Sequence, residues 1–330
     1  MKKLMKNVGF IGLGCYLPAQ RLTNADLEKI VETSDEWIVT RTGIRERRIA
    51  SKDEKTSDLA TKAAKDALKN AKLDPSKVEL IIVATISPDS NFPSVACLVQ
   101  KNIGAKKATA FDIGAACSGF LYAVTTAKQF IQTGLYKNAL VIASEKITSL
   151  VDWADRATCV LFGDGAGACV LSAVNGQRGI IADYMYSEGQ HGELMQVVSE
   201  SKGYPFGGHP ATVKPPYIVM QGKELFKVAV NSMAHAVEAA AKKAGVKLSQ
   251  IDCVVPHQAN DRIISAVARK LKIPKEKIYI NIDRYGNMSA ASIAVALCEA
   301  VAEGRIKKGD TVALVTFGAG LVTAANIVRW

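Results

Sequence analysis

The chain is poor in several features that mark whole protein classes. Histidine (4), tryptophan (3) and proline (10) are scarce among 330 residues, and aromatics make up only 6%. No cysteines stand as C-x-x-C and no histidines are spaced as zinc ligands, so a metal site is not expected. Seven cysteines is an odd number for a disulfide framework, and reduced thiols in the cytoplasm fit better. No apolar run approaches about 18 residues, so no transmembrane helix and no membrane partner are expected. Met1 to Lys6 followed by Val8 to Gly14 has the outline of a signal peptide, but the run is short and Gly-rich and reads as a buried strand. The net charge of +11 is scattered, with its densest cluster at Arg45, Arg47 and Arg48. Without a basic arm or an aromatic-interleaved stripe, nucleic acid is not an expected partner.

What is present is globular. Hydrophobic residues are 48% and charged residues 22%, near the average for folded domains. The length suggests about two domains. A chain of this size buries roughly 75% of its unfolded surface, so its core needs no staple.

The chain contains its own copy. Ala110–Ile113 precedes Cys117, an apolar-periodic stretch, Gly134 and the run Ala139–Ile142. Ile280–Asp283 precedes Asn287, a similar stretch, Gly304 and the run Val312–Val315. Cys117 and Asn287 are 170 residues apart, as are Gly134 and Gly304. Upstream, Val78–Ile82 answers Ile251–Val255, and helical stretches Thr56–Ala71 and Glu224–Ala244 precede them. Each unit reads helix, strand, helix, strand, helix, strand. Short continuous apolar strands suit a sheet covered on both faces, which implies an α/β architecture. The units are 1–175 and 176–330, packed about a pseudo-twofold axis. Two stretches read as irregular, 33–56 and 188–216; the second is rich in Gly, Pro and Ser.

Cys117 is the best-placed thiol. It follows a strand and a Gly-Ala-Ala turn and opens a helix, where unpaired N–H groups and the helix dipole favour a thiolate nucleophile. Cys97, Cys159, Cys169, Cys253 and Cys298 read as buried structural residues. His257 follows the strand Cys253–Val255 at the carboxyl end, where open α/β sheets bind ligands. His235 lies mid-helix, with a packing or surface role. His191 and His209 sit in the long loop without evident partners. Asn287 is the repeat counterpart of Cys117, so pseudo-twofold packing brings Cys117, His257 and Asn287 together; an N-cap role for Asn287 is compatible with this. The glycines at 9, 12 and 14 and at 163, 165 and 167 lack the strand–loop–helix order of a dinucleotide site. Gly318-Ala319-Gly320 follows what reads as the last strand, and its backbone N–H groups suit an oxyanion hole.

These segments resemble β-ketoacyl-[acyl-carrier-protein] synthase III, the initiating condensing enzyme of type II fatty-acid synthesis. The similarity runs nearly end to end. It is carried by Thr33–Ile38 with Arg41–Arg47, Asp112–Gly119, Phe162–Gly167, Val255–Asn260, and Gly286-Asn287 followed by Ser289–Ser292. The resemblance implies a thiolase-like fold, with duplicated half-units in five αβαβα layers, assembled as a homodimer. It places the catalytic triad on Cys117, His257 and Asn287. The oxyanion hole falls on the backbone of Cys117 and Ala319. The coenzyme A groove falls on Thr33, Trp37, Arg41, Arg156, Asn260 and Arg262, with Trp37 and Arg156 sandwiching the adenine. Phe92 matches a loop that limits the partner's acyl pocket. Lys227, Arg262, Arg269 and Lys270 fall on the face that docks acidic acyl carrier protein. The implied substrates are an acyl-CoA primer and malonyl-acyl carrier protein. No cofactor is implied, because the coenzyme A thioester is itself a substrate. Two departures stand out: Ala157 where the family often has Gly, and Ala319 within a usual Gly-Gly-Gly.

Two other classes are weighed. A papain-like hydrolase also orders Cys, His and Asn in this way, but its local cysteine signature is absent and that fold has no place for the repeat. A non-catalytic acyl- or CoA-binding protein sits poorly with an intact Cys-His-Asn set. Within the family, related thiolase-fold acyltransferases of secondary metabolism, of polyketide or alkylquinolone type, are the alternative.

Overall fold

A computed structural model describes residues 6–197 and 217–330. The first half forms β1 (Val8–Tyr16), β2 (Gln20–Thr23), α1 (Asn24–Leu27), α2 (Asp35–Thr42), β3 (Glu46–Ile49), α3 (Thr56–Ala71) and β4 (Leu80–Ala84). It continues with α4 (Val95–Ile103), β5 (Thr109–Ile113), α5 (Gly119–Thr133), β6 (Asn138–Glu145), α6 (Arg156–Cys159) and β7 (Gly165–Ala173). The second half forms β8 (Gly179–Ser187), β9 (Met195–Val197), β10 (Ile218–Met220), α7 (Gly222–Ala244), β11 (Cys253–Pro256) and α8 (Asp261–Leu271). It ends with α9 (Ile282–Tyr285), α10 (Ala290–Ala302), β12 (Thr311–Gly318) and β13 (Val322–Arg329).

Two mixed sheets carry the fold, in the orders β1-β7-β6-β4-β5 and β11-β12-β13-β8. Their continuous apolar runs supply two cores at once, because alternate residues of a strand point to opposite faces. In β4, Leu80, Ile82 and Ala84 enter the central core, while Ile81 and Val83 face the outer layer of α3 and α4. In β12, Val312 and Leu314 point inward, while Ala313, Val315 and Phe317 pack under α7 and α8. Helices α5 and α10 contact both sheets from between them. The order of layers is α3/α4, sheet, α5/α10, sheet, α7/α8, the five-layered αβαβα arrangement. The layers are tight: a Cβ on Gly14 would stand 2.2 Å from the Ala67 backbone nitrogen, so glycine in β1 is what lets α3 lie flat against it.

Several expectations are corrected. The stretch 33–56 is not irregular, since it holds α2 and β3. Residues 280–283 do not form the strand that their counterpart β5 forms. Only the bridge between Val254 and Ile278 remains, because the Asn281 N–H is taken by the Gln258 side chain at 3.0 Å and the chain turns into α9. Gly318-Ala319-Gly320 does not follow the last strand; β13 comes after it. Of the cysteines read as buried, Cys97 is exposed and Cys298 half-buried, both on helices whose flanks reach solvent. The Arg45–Arg48 cluster is not a uniform basic surface. Arg47 is wholly buried and donates to the Leu22 and Val160 carbonyls and to Asn24.

Candidate active site

Cys117 sits in a single 3₁₀ turn, Ala116–Ser118, that runs directly into α5. Ala116 is left-handed at φ 42°, a strained conformation for a residue with a Cβ. The elbow is pinned by the Ser118 hydroxyl, which donates to the Val322 carbonyl at 2.9 Å. Gly318 closes over it, and a Cβ there would lie 2.8 Å from the Cys117 backbone nitrogen. The thiol is 3% exposed.

Cys117, His257 and Asn287 line one cleft of about 740 Å³, including its open mouth. His257 lies just past the end of β11, its N–H donating to the Val315 carbonyl at 2.8 Å. Asn287 is held by its N–H to the Leu161 carbonyl at 2.8 Å. Its side-chain Oδ1 accepts from the Ser289 N–H at 2.8 Å. That bond orients the amide and leaves its NH₂ as the free donor. Leu225, Phe226, Met233 and Ile263 form an apolar wall contributed by α7 and α8.

The electrostatics differ from the reading of a helix-stabilised thiolate. Burial pushes the Cys117 thiol up to about 11, and the charge of Glu145 adds to the rise. Burial pushes His257 down to about 3. The resting site therefore holds a neutral thiol beside a neutral imidazole at physiological pH. Among the described residues His257 Nδ1 is enclosed without a partner, so Nε2 is the nitrogen left to serve the cleft. A neutral imidazole that stays neutral suits a hydrogen-bond donor better than a resting base.

The other residues singled out from the sequence fall in three places. Trp37 and Arg41 lie on α2, with Thr33 just before it. The Arg156 guanidinium stands 4.9 Å and that of Arg41 5.7 Å from the Trp37 ring centroid. Asn260 caps α8 through Arg262 N–H at 2.9 Å and donates to the Arg41 carbonyl at 3.0 Å, so it ties the α2 group to the cleft it lines. Lys227 on α7 and Arg262, Arg269 and Lys270 on α8 are exposed. Lys270 bonds Asn231, one turn after Lys227, so both lysines share a face. Phe92 does not line its own chain's cleft and is 85% exposed. Ala319 is half-buried and also stands outside the cleft lining, which includes Gly318 instead. Ala157 is exposed on α6. His235 is exposed and packs edge-on against Tyr184. His209 lies outside the described residues. No group of three or more metal-ligating side chains occurs among the described residues.

Sequence reasoning missed two residues here. Ser289 stands at φ 49° before α10, and its hydroxyl is enclosed without a hydrogen-bond partner among the described residues. Glu145 ends β6 and is wholly buried. Its one available signal was an acidic residue closing the apolar run of β6.

Five layers built from duplicated halves, with a buried cysteine at a central helix facing a histidine and an asparagine, define a thiolase-type condensing enzyme. The comparisons make the class specific. The model described as 3-oxoacyl-[acyl-carrier-protein] synthase III matches residues 111–189, and its C-terminal counterpart matches residues 241–330. The β-ketoacyl-[acyl-carrier-protein] synthase III of Caldanaerobacter subterraneus is 49% identical over 98% of this chain and 97% of its own. That of Clostridioides difficile is 52% identical over 98% of both chains. The crystal structure of the Aquifex aeolicus enzyme superposes with a TM-score of 0.91 at 52% identity, covering 98% of this chain and 100% of that one. The chain belongs to the β-ketoacyl-[acyl-carrier-protein] synthase III family: it is an acyl-transferring enzyme, the initiating condensing enzyme of fatty-acid synthesis. The secondary-metabolism alternative is not favoured.

Proposed function

We propose that the chain joins an acetyl- or short branched acyl-CoA primer to malonyl-acyl carrier protein by decarboxylative Claisen condensation, through an acyl-Cys117 intermediate. The observation that carries this reading is the convergence of Cys117, His257 and Asn287 on one apolar cleft. The Cys117 sulfur attacks the primer thioester, and the backbone N–H groups of Cys117 and Ala319 hold the tetrahedral oxyanion until coenzyme A leaves. Malonyl-acyl carrier protein then enters. Its carbon–carbon bond breaks, carbon dioxide leaves, and the electron pair moves onto the thioester oxygen. His257 and Asn287 donate to that oxygen; both present N–H donors, and neither needs to change charge to do so. The carbanion attacks the acyl carbonyl and expels Cys117, giving a β-ketoacyl-acyl carrier protein. The reading calls for no cofactor.

The same reading assigns the coenzyme A groove to Thr33, Trp37, Arg41, Arg156, Asn260 and Arg262. Support comes from the stacking of Arg156 and Arg41 around Trp37; a purine would enter by displacing a guanidinium from the ring. Carrier docking falls to Lys227, Arg262, Arg269 and Lys270 on the adjoining helices α7 and α8, an exposed basic face suited to an acidic partner. A homodimer is supported by β5, an edge of the first sheet that pairs with no further strand among the described residues, and by the exposure of Phe92, which this reading assigns to the partner's acyl pocket. The halves 1–175 and 176–330 fit β7 ending at Ala173 and β8 opening the second sheet at Gly179. A cytoplasmic location fits the absence, among the described residues, of a helix long and apolar enough to cross a membrane.

A primer panel tests the proposal. The enzyme is given acyl-CoAs of rising length and branching with malonyl-acyl carrier protein, and products are read by mass. Carrier-bound β-ketoacyl products two carbons longer than the primer are expected. Hydrolysed acids alone would refute it.

A further inference from the structure

His257 and Asn287 stand 30 residues apart in the chain and reach the cleft from different elements. His257 follows β11, and its backbone N–H is spent on the Val315 carbonyl. Asn287 is tied to the first half of the molecule, through its N–H to Leu161 and through its carbonyl to the Gly163 N–H at 3.1 Å. None of these bonds relates one residue to the other. Yet both side chains must reach a single oxygen if they are to hold an enolate.

The relation is supplied where a β-ladder breaks. Residues 278 and 279 start out parallel to β11: Val254 bridges Ile278, and the Tyr279 N–H donates to the Val254 carbonyl at 2.9 Å. One step further, a parallel ladder would send the N–H of residue 256 to the Tyr279 carbonyl, and the Asn281 N–H to the carbonyl of residue 256. Residue 256 is proline and has no N–H to give. The side-chain amide of Gln258 stands in the gap instead. Its Nε2 donates to the Pro256 carbonyl at 2.9 Å and to the Tyr279 carbonyl at 3.1 Å, and its Oε1 accepts the Asn281 N–H at 3.0 Å. Gln258 is wholly buried. Two carbonyls on one side and an N–H on the other allow its amide a single orientation. The amide acts as a wedge: it holds the His257 turn and the start of α9 together, one side-chain width apart.

The frame continues to Asn287. Asn281 is buried and opens α9, and its Nδ2 donates to the Glu299 carboxylate on α10 at 2.8 Å. At the other end of α9 the Tyr285 hydroxyl donates to the same carboxylate at 2.6 Å, and the Arg284 guanidinium donates to it at 3.1 Å. Glu299 therefore grips both ends of the short helix, and Asn287 follows Tyr285 by two residues. We propose that Gln258, Asn281 and Glu299 form a positioning frame that sets the spacing of the His257 and Asn287 donors over the enolate oxygen. The proposal rests on the reading that these two residues donate to that oxygen. None of the three frame residues lines the cleft. Each acts through the backbone that carries a donor, and a buried polar network of this kind holds one arrangement where apolar packing would tolerate several.

The test assays the two half-reactions separately. Malonyl-acyl carrier protein is decarboxylated without primer and read by mass as acetyl-acyl carrier protein, the enolate taking its proton from water. Cys117 acylation is read as coenzyme A release from acetyl-CoA. Gln258→Met keeps the length of the side chain and removes the wedge. It should lower the kcat of decarboxylation by about thirtyfold, and Asn281→Ala by about tenfold, since displacements below about 1 Å are enough for such losses. The KM for the carrier substrate and the acylation rate should stay within about twofold of wild type, because neither depends on the spacing of the two donors. Glu299→Gln, which still presents an acceptor, should restore most of the rate that Glu299→Ala loses. If Gln258→Met does not fold, Asn281→Ala carries the test, since it keeps the backbone N–H that Gln258 holds. Equal losses in both half-reactions would overturn the frame by showing a merely structural role, and a raised KM at unchanged kcat would overturn it by showing a binding role. His257→Ala and Asn287→Ala are run alongside. If those two lose decarboxylation while folded Gln258→Met and Asn281→Ala keep it, the frame alone fails. If they do not lose it selectively, the reading of their donors fails and takes the frame with it.

Discussion

Replacing Gly318 by alanine probes how closely β12 is fitted to the nucleophile. The added methyl would stand 2.8 Å from the Cys117 backbone nitrogen, 3.0 Å from that of Ser118 and 3.3 Å from Cys117 Cα. Reaching an ordinary contact of 3.4 Å requires a displacement of about 0.6 Å. Neither side yields readily. Gly318 is paired with Val322 across the β12–β13 ladder, and the elbow is tied to that same residue through Ser118. The blocked nitrogen is also a proposed oxyanion donor, and loss of one such donor costs roughly 10²–10³ in rate. Misplacement of about 1 Å costs a similar 10². Acylation by acetyl-CoA should therefore slow by about 10², close to 2.7 kcal/mol of barrier. Overpacking should lower stability by about 1–3 kcal/mol. Single-turnover coenzyme A release measures the first effect and urea denaturation the second. Acylation within threefold of wild type in a fully folded variant would refute the inferred crowding at the oxyanion donor.

Alanine at His257 or Asn287 should damage malonyl-acyl carrier protein decarboxylation at least tenfold more than Cys117 acylation, because their donors serve the oxygen where enolate charge develops; equal losses in separately assayed half-reactions would contradict that division. Arg262→Glu should weaken use of the carrier substrate more than priming, with a deficit that shrinks as salt is raised. A salt-independent deficit, or an equal priming defect, moves Arg262 to coenzyme A binding or plain solvation. His257 stays neutral in the folded protein down to about pH 3, whereas the unfolded chain takes up its proton below about 6.5. Its contribution is intact above pH 6.5 and is lost on acidification, by about 2 kcal/mol at pH 5. Between pH 7.5 and pH 5 the urea stability of His257→Gln should therefore gain about 2 kcal/mol relative to wild type, and a constant gap would contradict the neutral buried imidazole.

The halves of the molecule were legible in the sequence for a physical reason. Apolar runs such as Val78–Ile82 and Ile251–Val255, or Ala139–Ile142 and Val312–Val315, recur 173 residues apart because each must feed two cores, and few other solutions satisfy that. The convergence of Cys117 and Asn287 on one cleft followed from the same symmetry, since the two occupy equivalent positions. The parts that were not legible depend on side chains meeting across the fold. Ile280–Asp283 has a strand-like composition, but Gln258 takes the hydrogen bond that a strand would need. Glu145 looks like the polar end of a strand, and only packing reveals that it is wholly buried, accepting from the Ser87 and Thr85 hydroxyls. The state of the Cys117 thiol was misjudged because helix-head geometry can be read locally, whereas its burial comes from β12 and α10.

The most direct test of the whole account is intact-mass analysis of the enzyme after brief exposure to acetyl-CoA without malonyl-acyl carrier protein. The account predicts one acetyl group on the wild-type chain, mapped by peptide digestion to Cys117, and none on a folded Cys117→Ala variant. An acetylated Cys117→Ala enzyme, or a wild type that condenses primer with carrier substrate while never carrying the acyl group on Cys117, would contradict it.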